Sequence, residues 1–135
     1  MRTAFDTNVL IYSCDRADPN RQAKALELIT SVTDGVLPWQ VACEFIAASR
    51  KLSNQGFAPK DAWDRLAEFL SLLPLVTPSA LVFVRAREMH AMQAWSFWDA
   101  MIVSACLECG VTRLYSEDLP GRAPKGLEIF NPFRP

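Results

Sequence analysis

The stretch Arg2-Thr3-Ala4-Phe5-Asp6-Thr7-Asn8-Val9-Leu10-Ile11 decides how this chain is read. Arg2 to Phe5 has the composition of a short strand, and Val9-Leu10-Ile11-Tyr12 that of an apolar helical turn. Three polar side chains, Asp6, Thr7 and Asn8, stand at the junction. Each can accept a hydrogen bond from the free N–H groups of a helix start. An ionised Asp6 in an otherwise apolar stretch is costly unless something pairs with it. The junction therefore reads either as a helix cap or as part of a site, and the rest of the chain decides.

Downstream, Asp18-Pro19 starts a helix, with Asp at the cap and Pro in the first turn. Ala23, Leu26, Ile29 and Val32 give it helical spacing up to Asp34-Gly35. Gly35-Val36-Leu37 reads as a strand, and Pro38 opens a helix to about Leu52 that carries one acid, Glu44. Asn54-Gln55-Gly56 is a loop. Pro59 starts a third helix to about Leu73, with Trp63, Leu66, Leu70 and Leu73 on one face and Phe69 and Leu72 widening it. Leu75-Val76 is a short strand, and Thr77-Pro78 caps a helix through Leu81, Val84, Met89 and Met92 to about Ala94. The segment from Trp95 through Asp99 opens a helix that closes at Gly110. Arg113-Leu114-Tyr115 is a strand, Pro120 to Gly126 a loop, Leu127 to Phe130 a last strand, and a Pro-rich tail follows. Strands alternating with helices argue for an α/β fold with a small, mostly parallel central sheet and helices on both faces.

The chain has 135 residues, which predicts one domain over 1–135. No apolar run reaches the ~18–20 residues needed to span a bilayer, and the N-terminus lacks a signal-peptide layout, so a cytoplasmic protein is expected. Cys106 and Cys109 form a lone C-x-x-C at a helix end, where the dipole does not favour a thiolate. Three of the four cysteines read as buried small hydrophobes. The net charge of −1 does not advertise a nucleic-acid binder. Setting four acids aside in one site leaves 11 against 14 Lys and Arg, or +3 for the remaining surface.

Four acids stand out. Asp6 and Asp118 follow the carboxyl ends of two strands, the edge where ligands bind in open α/β sheets. Glu44 and Asp99 lie among apolar residues on helices. Asp99 has an alternative reading as the third residue of a capping box opened by Ser96, and Asp118 as a turn residue before Pro120. Glu44 has no cation one turn away, since positions 40, 41, 47 and 48 are Gln, Val, Ala and Ala. Close carboxylates repel, and a divalent cation resolves the conflict. Mg2+ and Mn2+ prefer oxygen ligands, and the lone His90, expected on a helix surface, disfavours zinc. An all-acid site with a hard metal suits phosphodiester hydrolysis. Asn8 and Ser116 are placed to steady the carboxylates.

Phe5-Asp6-Thr7-Asn8-Val9-Leu10, Glu44 in its apolar helix, Trp98-Asp99-Ala100-Met101-Ile102-Val103 and Tyr115-Ser116-Glu117-Asp118-Leu119 together resemble the PIN-domain family, and most of all its VapC-type toxin ribonucleases. The resemblance implies a three-layer α/β/α fold and a metal-dependent endoribonuclease. It places Asp6, Glu44, Asp99 and Asp118 in the acidic quartet, with Asp6, Asp99 and Asp118 as metal ligands for Mg2+ or Mn2+ and Asn8 and Ser116 in support. It further implies an RNA substrate, a homodimer and a cognate antitoxin that blocks the site. The sequence departs from the family after Asp118, where Pro120-Gly121-Arg122 replaces the usual Gln and Gly-rich turn. Two other readings compete. An Asp-based phosphatase or phospho-accepting receiver also uses an Asp after the first strand, but the phosphatase wants a second Asp where Asn8 stands, and the receiver a late buried Lys. A non-catalytic protein- or RNA-binding module would use an apolar face, for which Phe69 and Leu72 are the candidates, with Trp63 and Trp98 read as core.

Overall fold

β1 (Thr3–Phe5) is the middle strand of a five-stranded, all-parallel sheet in the order β3-β2-β1-β4-β5, in a computed structural model that describes residues 1–120 and 122–134. Its neighbours are β2 (Gly35–Pro38) and β4 (Arg113–Tyr115), with Thr3 opposite both Gly35 and Arg113. β3 (Leu75–Val76) and β5 (Glu128–Phe130) form the edges. β1 and β2 are buried along their whole length, as expected for inner strands covered on both faces.

The helices follow from the crossovers. The chain leaves β1 through α1 (Thr7–Tyr12) and α2 (Pro19–Ser31) to β2, then through α3 (Trp39–Ala48) and α4 (Pro59–Leu72) to β3. It steps in one direction, so right-handed connections put these helices on one face. α1 packs on α2 and α3, and α3 on α4. The chain then returns across the sheet to β4, and α5 (Val82–Arg87) and α6 (Phe97–Glu108) cover the other face. β2 touches α3 and α4 as well as α6, which makes three layers. Gly110, at φ +81°, ends α6 in a conformation that suits glycine.

Several expectations are corrected. The helix from Pro38 is α-helical only to Ala48 and continues as a 3-10 helix over Ser49–Gln55. In α2 the buried residues are Ala25 and Ile29, with Ala23 and Leu26 on the outside. In α4 the buried stripe is Ala62, Leu66 and Phe69, continued by Leu73, while Trp63 is 59% exposed. Two stripes fit a 3.6-residue period there, and Phe69 wins because its ring meets that of Phe45 edge-on at 5.2 Å. Phe69 is therefore core, whereas Leu72 is exposed, as expected. Trp98 is exposed as well. The expected fourth helix breaks into α5 and a π-helical turn (Glu88–Met92), and buries Val82, Ala86 and Met89 while Leu81, Val84 and Met92 face outward. Close packing of α5 on α6 selects the small Ala86 over its larger neighbours. Cys14 and Cys106 are buried, but Cys43 is exposed. Burial pushes the Cys106 thiol up, which removes the thiolate a redox role needs. The loop expected over Pro120 to Gly126 includes Gly121, and the Pro-rich tail ends at Pro135; both residues lie outside the described ones.

Candidate active site

β1 and β4 lie side by side, yet the chain leaves β1 toward β2 and comes back to β4 on the other side. The strand order reverses there, and a crevice opens outside the carboxyl ends of both strands. Asp6 sits at that edge as the first residue after β1, its N–H donating to the Tyr115 carbonyl at the end of β4 (2.8 Å). It also caps α1, accepting from the Thr7 N–H at Oδ1 (2.8 Å). The cap and site readings of Asp6 are thus compatible, because one carboxylate oxygen serves the helix and the other faces β4.

The other oxygen, Oδ2, accepts from Ser116 Oγ (2.8 Å), the first residue beyond β4. Ser116 is 2% exposed and works as a junction. Its Oγ accepts from the N–H groups of Asp118 (3.2 Å) and Leu119 (3.2 Å), and so folds the loop that carries Asp118. Asn8, in the first turn of α1, donates from Nδ2 to Asp118 Oδ2 (3.2 Å) and accepts at Oδ1 from the Glu117 N–H (3.4 Å). The two residues expected to steady the acids therefore tie Asp6 to Asp118.

Glu44 comes in from α3. Its Oε1 accepts from Gln40 Nε2 (2.6 Å) one turn earlier, and its Oε2 from Thr7 Oγ1 at a longer 3.4 Å. Gln40 Nε2 also donates to the Trp98 carbonyl (3.0 Å), which joins the starts of α3 and α6. Glu44 needs no cation one turn away, because the neutral amide of Gln40 at i−4 suffices for a half-buried carboxylate. Asp99 enters from the first turn of α6. Ser96 Oγ accepts from the Asp99 N–H (3.3 Å), the first half of a capping box. The reciprocal bond from the Ser96 N–H to the Asp99 carboxylate is absent among the described residues. The cap uses the backbone of Asp99 and leaves its carboxylate free for the cleft.

Asp6, Glu44, Asp99 and Asp118 all line one cleft of about 520 Å3, together with Thr7, Asn8, Asp15, Lys51 and Glu117. Burial pushes the Asp6 carboxyl above the usual carboxylate range, and the charges of Glu44 and Asp99 push it further, against the lowering bonds from Ser116 and Thr7. Glu117 was not foreseen. Its carboxylate takes Tyr12 Oη (2.6 Å) and Arg21 Nε (3.1 Å). Burial and the Glu117 bond push the Tyr12 phenol up to about 12. A separate cleft of about 460 Å3, lined by Arg16, Asp61, Asp64, Arg65 and Glu68, holds none of the four acids and meets the first at Gln55.

The donor chemistry suits a hard divalent cation. The cleft lining offers carboxylate and amide oxygens and no His or Cys. Among the described residues no group of three or more His, Cys, Asp or Glu side chains is arranged to hold a metal ion directly. Mg2+ keeps several waters, through which carboxylates that do not touch it can still hold it. Asp6 adds an electrostatic reason: burial raises its pKa first, and the charges of Glu44 and Asp99, which a cation would offset, raise it further.

Fold and site together define a class: a parallel α/β protein with a carboxylate-lined cleft at the switch point of its sheet. The chain belongs to the PIN domain family, whose model matches residues 4–119. Its fold is similar to a chain in the crystal structure of VapBC2 from Rickettsia felis bound to a DNA fragment from their promoter, with a TM-score of 0.69 and 18% identity over 96% of this chain and 97% of that one. No sequence relative is matched among curated proteins. No helix among the described residues is long and apolar enough to cross a membrane.

Proposed function

We propose that the protein is a metal-dependent endoribonuclease that hydrolyses RNA phosphodiester bonds, and that it is the toxin of a toxin–antitoxin pair. In this reading Asp6, Glu44, Asp99 and Asp118 are the catalytic acids, and Asp6, Asp99 and Asp118 hold Mg2+ or Mn2+. The observation that carries it is the convergence of four acids, from four elements distant in sequence, on one cleft at the sheet's carboxyl edge. The cation would supply positive charge at the scissile phosphate and a nucleophile at neutral pH. The chain's own residues do the rest. Ser116 and Thr7 fix both oxygens of Asp6, and Asn8 holds Asp118. Glu44 is held through Oε1 by Gln40, which leaves Oε2, with its longer bond, to take the proton of an attacking water. An Asp-based phosphatase is disfavoured, because Asn8 spends its amide on Asp118 and has no proton to give a leaving group.

The fold shared with a chain of VapBC2, together with the resemblance to VapC-type toxins, supports a cognate antitoxin as partner, and the same reading carries a homodimer acting in the cytoplasm. Asp6→Asn tests the activity. Asn caps a helix as well as Asp does, its one side-chain oxygen taking the Thr7 N–H, while its amide stands where the Asp6 oxygen accepts from Ser116. Its circular dichroism should match wild type and its unfolding midpoint stay close to it, whereas RNA cleavage in Mn2+ should disappear. Cleavage at the wild-type rate would overturn the proposal.

A further inference from the structure

Trp98 is 64% exposed although it directly precedes Asp99. It is nonetheless braced. Its carbonyl accepts from Gln40 Nε2 (3.0 Å), the same amide that holds Glu44. Its ring meets Phe97 edge-on, with centroids 4.9 Å apart and planes at 75°, and Phe97 meets His90 in the same way at 5.8 Å and 80°. A large indole is thus presented to solvent, supported by a run of rings and tied through its backbone to a cleft acid. Most Trp residues bury far more of their apolar surface.

The next residue, Asp99, lines the acidic cleft while the indole stands outside that lining, and the charge of the cleft explains what the indole is for. Six carboxylates line it, those of Asp6, Asp15, Glu44, Asp99, Glu117 and Asp118, and among the described residues Lys51 is the one Lys or Arg in that lining. An RNA backbone entering such a cleft meets repulsion, so affinity must come in part from contacts that carry no charge. The face of a base stacked on an aromatic ring is such a contact, and it is available only where the base is unpaired.

We infer that Trp98 is the stacking platform for an unpaired base of the substrate strand, next to the phosphate held at the acids, and that the substrate is single-stranded there. The inference rests on the ribonuclease reading of the cleft. Each stacked base of this kind is worth roughly 5- to 150-fold in affinity.

The test is binding of a short single-stranded RNA carrying 2-aminopurine to the full chain in EDTA, where cleavage does not intervene. Wild type should quench the 2-aminopurine emission. Trp98→Ala should bind about 10-fold or more weakly with the quench lost, and Trp98→Phe, which keeps an aromatic face, should recover most of both. The affinity loss should be the same at every salt concentration, because no phosphate contact is removed. A duplex of the same sequence should bind wild type and Trp98→Ala alike. Equal quenching and affinity in Trp98→Ala overturns the inference, and leaves the ribonuclease reading intact if that variant still cleaves RNA in Mn2+. A change confined to oligomeric state, with RNA affinity unaltered, also overturns it and makes Trp98 a protein contact. If Trp98 governs oligonucleotide binding in a wild type that does not cleave, the ribonuclease reading falls and the stacking role stands. If wild type binds no oligonucleotide in EDTA, the inference falls, and the ribonuclease reading falls with it only if wild type also fails to cleave RNA in Mn2+.

Discussion

At the scale of single residues the site depends on Ser116. One buried hydroxyl donates to Asp6 and accepts from the N–H groups of Asp118 and Leu119, so it sets the distance between two acids that are over a hundred residues apart in sequence. Ser116→Ala removes that donor and leaves two backbone N–H groups without their side-chain acceptor. The expected cost is about 1–3 kcal/mol of stability, read as a lowered urea midpoint, together with slower RNA cleavage. A variant with both properties at wild-type level would show that the loop after β4 holds its shape by other means. Ser116 and Asn8 were legible in the sequence because both flank an acid at a strand end. Gln40 and Thr7 were not. Each donates to Glu44 across a gap that chain order alone does not reveal, and both are neutral, whereas carboxylates invite a search for positive charge. Trp98 was misread for a related reason. Aromatic residues beside an apolar helix are usually core, and its exposure follows only from how α6 sits on the sheet.

At the scale of elements, strands were easier to read than helix faces. All five strands lie where short β-branched or apolar runs between Gly, Pro and polar residues placed them, and the parallel arrangement followed from their alternation with helices. Helix phase was harder, because a sequence rich in Leu, Val and Met offers more than one stripe at helical spacing. In α4 the two stripes share Leu66 and run on to the same Leu73, and which one is buried depends on a ring contact from another helix, that of Phe45 on α3. This makes the phase testable. Phe69→Ala should cost about 3–5 kcal/mol, since it empties a filled space between α3 and α4. Trp63→Ala should stay within about 0.5 kcal/mol of wild type, as surface substitutions do. Urea unfolding of the two variants distinguishes them, and a reversed order would mean that α4 is rotated about its axis. α5 was the least legible element, since the π turn after Arg87 and the left-handed Ala94 (φ 60°) break a period that the sequence continues.

At the scale of the whole molecule the cleft is a meeting point. Asp6 follows β1, Glu44 lies on α3, Asp99 opens α6 and Asp118 follows β4, so the acids come from both faces of the sheet and from its middle. A cation bound by Asp6, Asp99 and Asp118 would bind only the folded chain, because the unfolded chain cannot hold these groups together. Binding then stabilises the whole domain by mass action. At about 100 times its dissociation constant the gain is about 2.7 kcal/mol, which for a domain of this size raises the unfolding midpoint by roughly 10 °C. Asp99→Asn is the informative partner for this measurement. The helix cap at Ser96 uses the backbone N–H of residue 99, which Asn keeps, so the variant loses the ligand and spares the cap. In EDTA the two proteins should therefore unfold at similar temperatures. With Mn2+ the midpoint of wild type should rise well above that of Asp99→Asn. An equal rise in both would remove Asp99 from the ligand set. No rise in either would leave the acids structural, and the cleft would then need another explanation for gathering so much negative charge in one place.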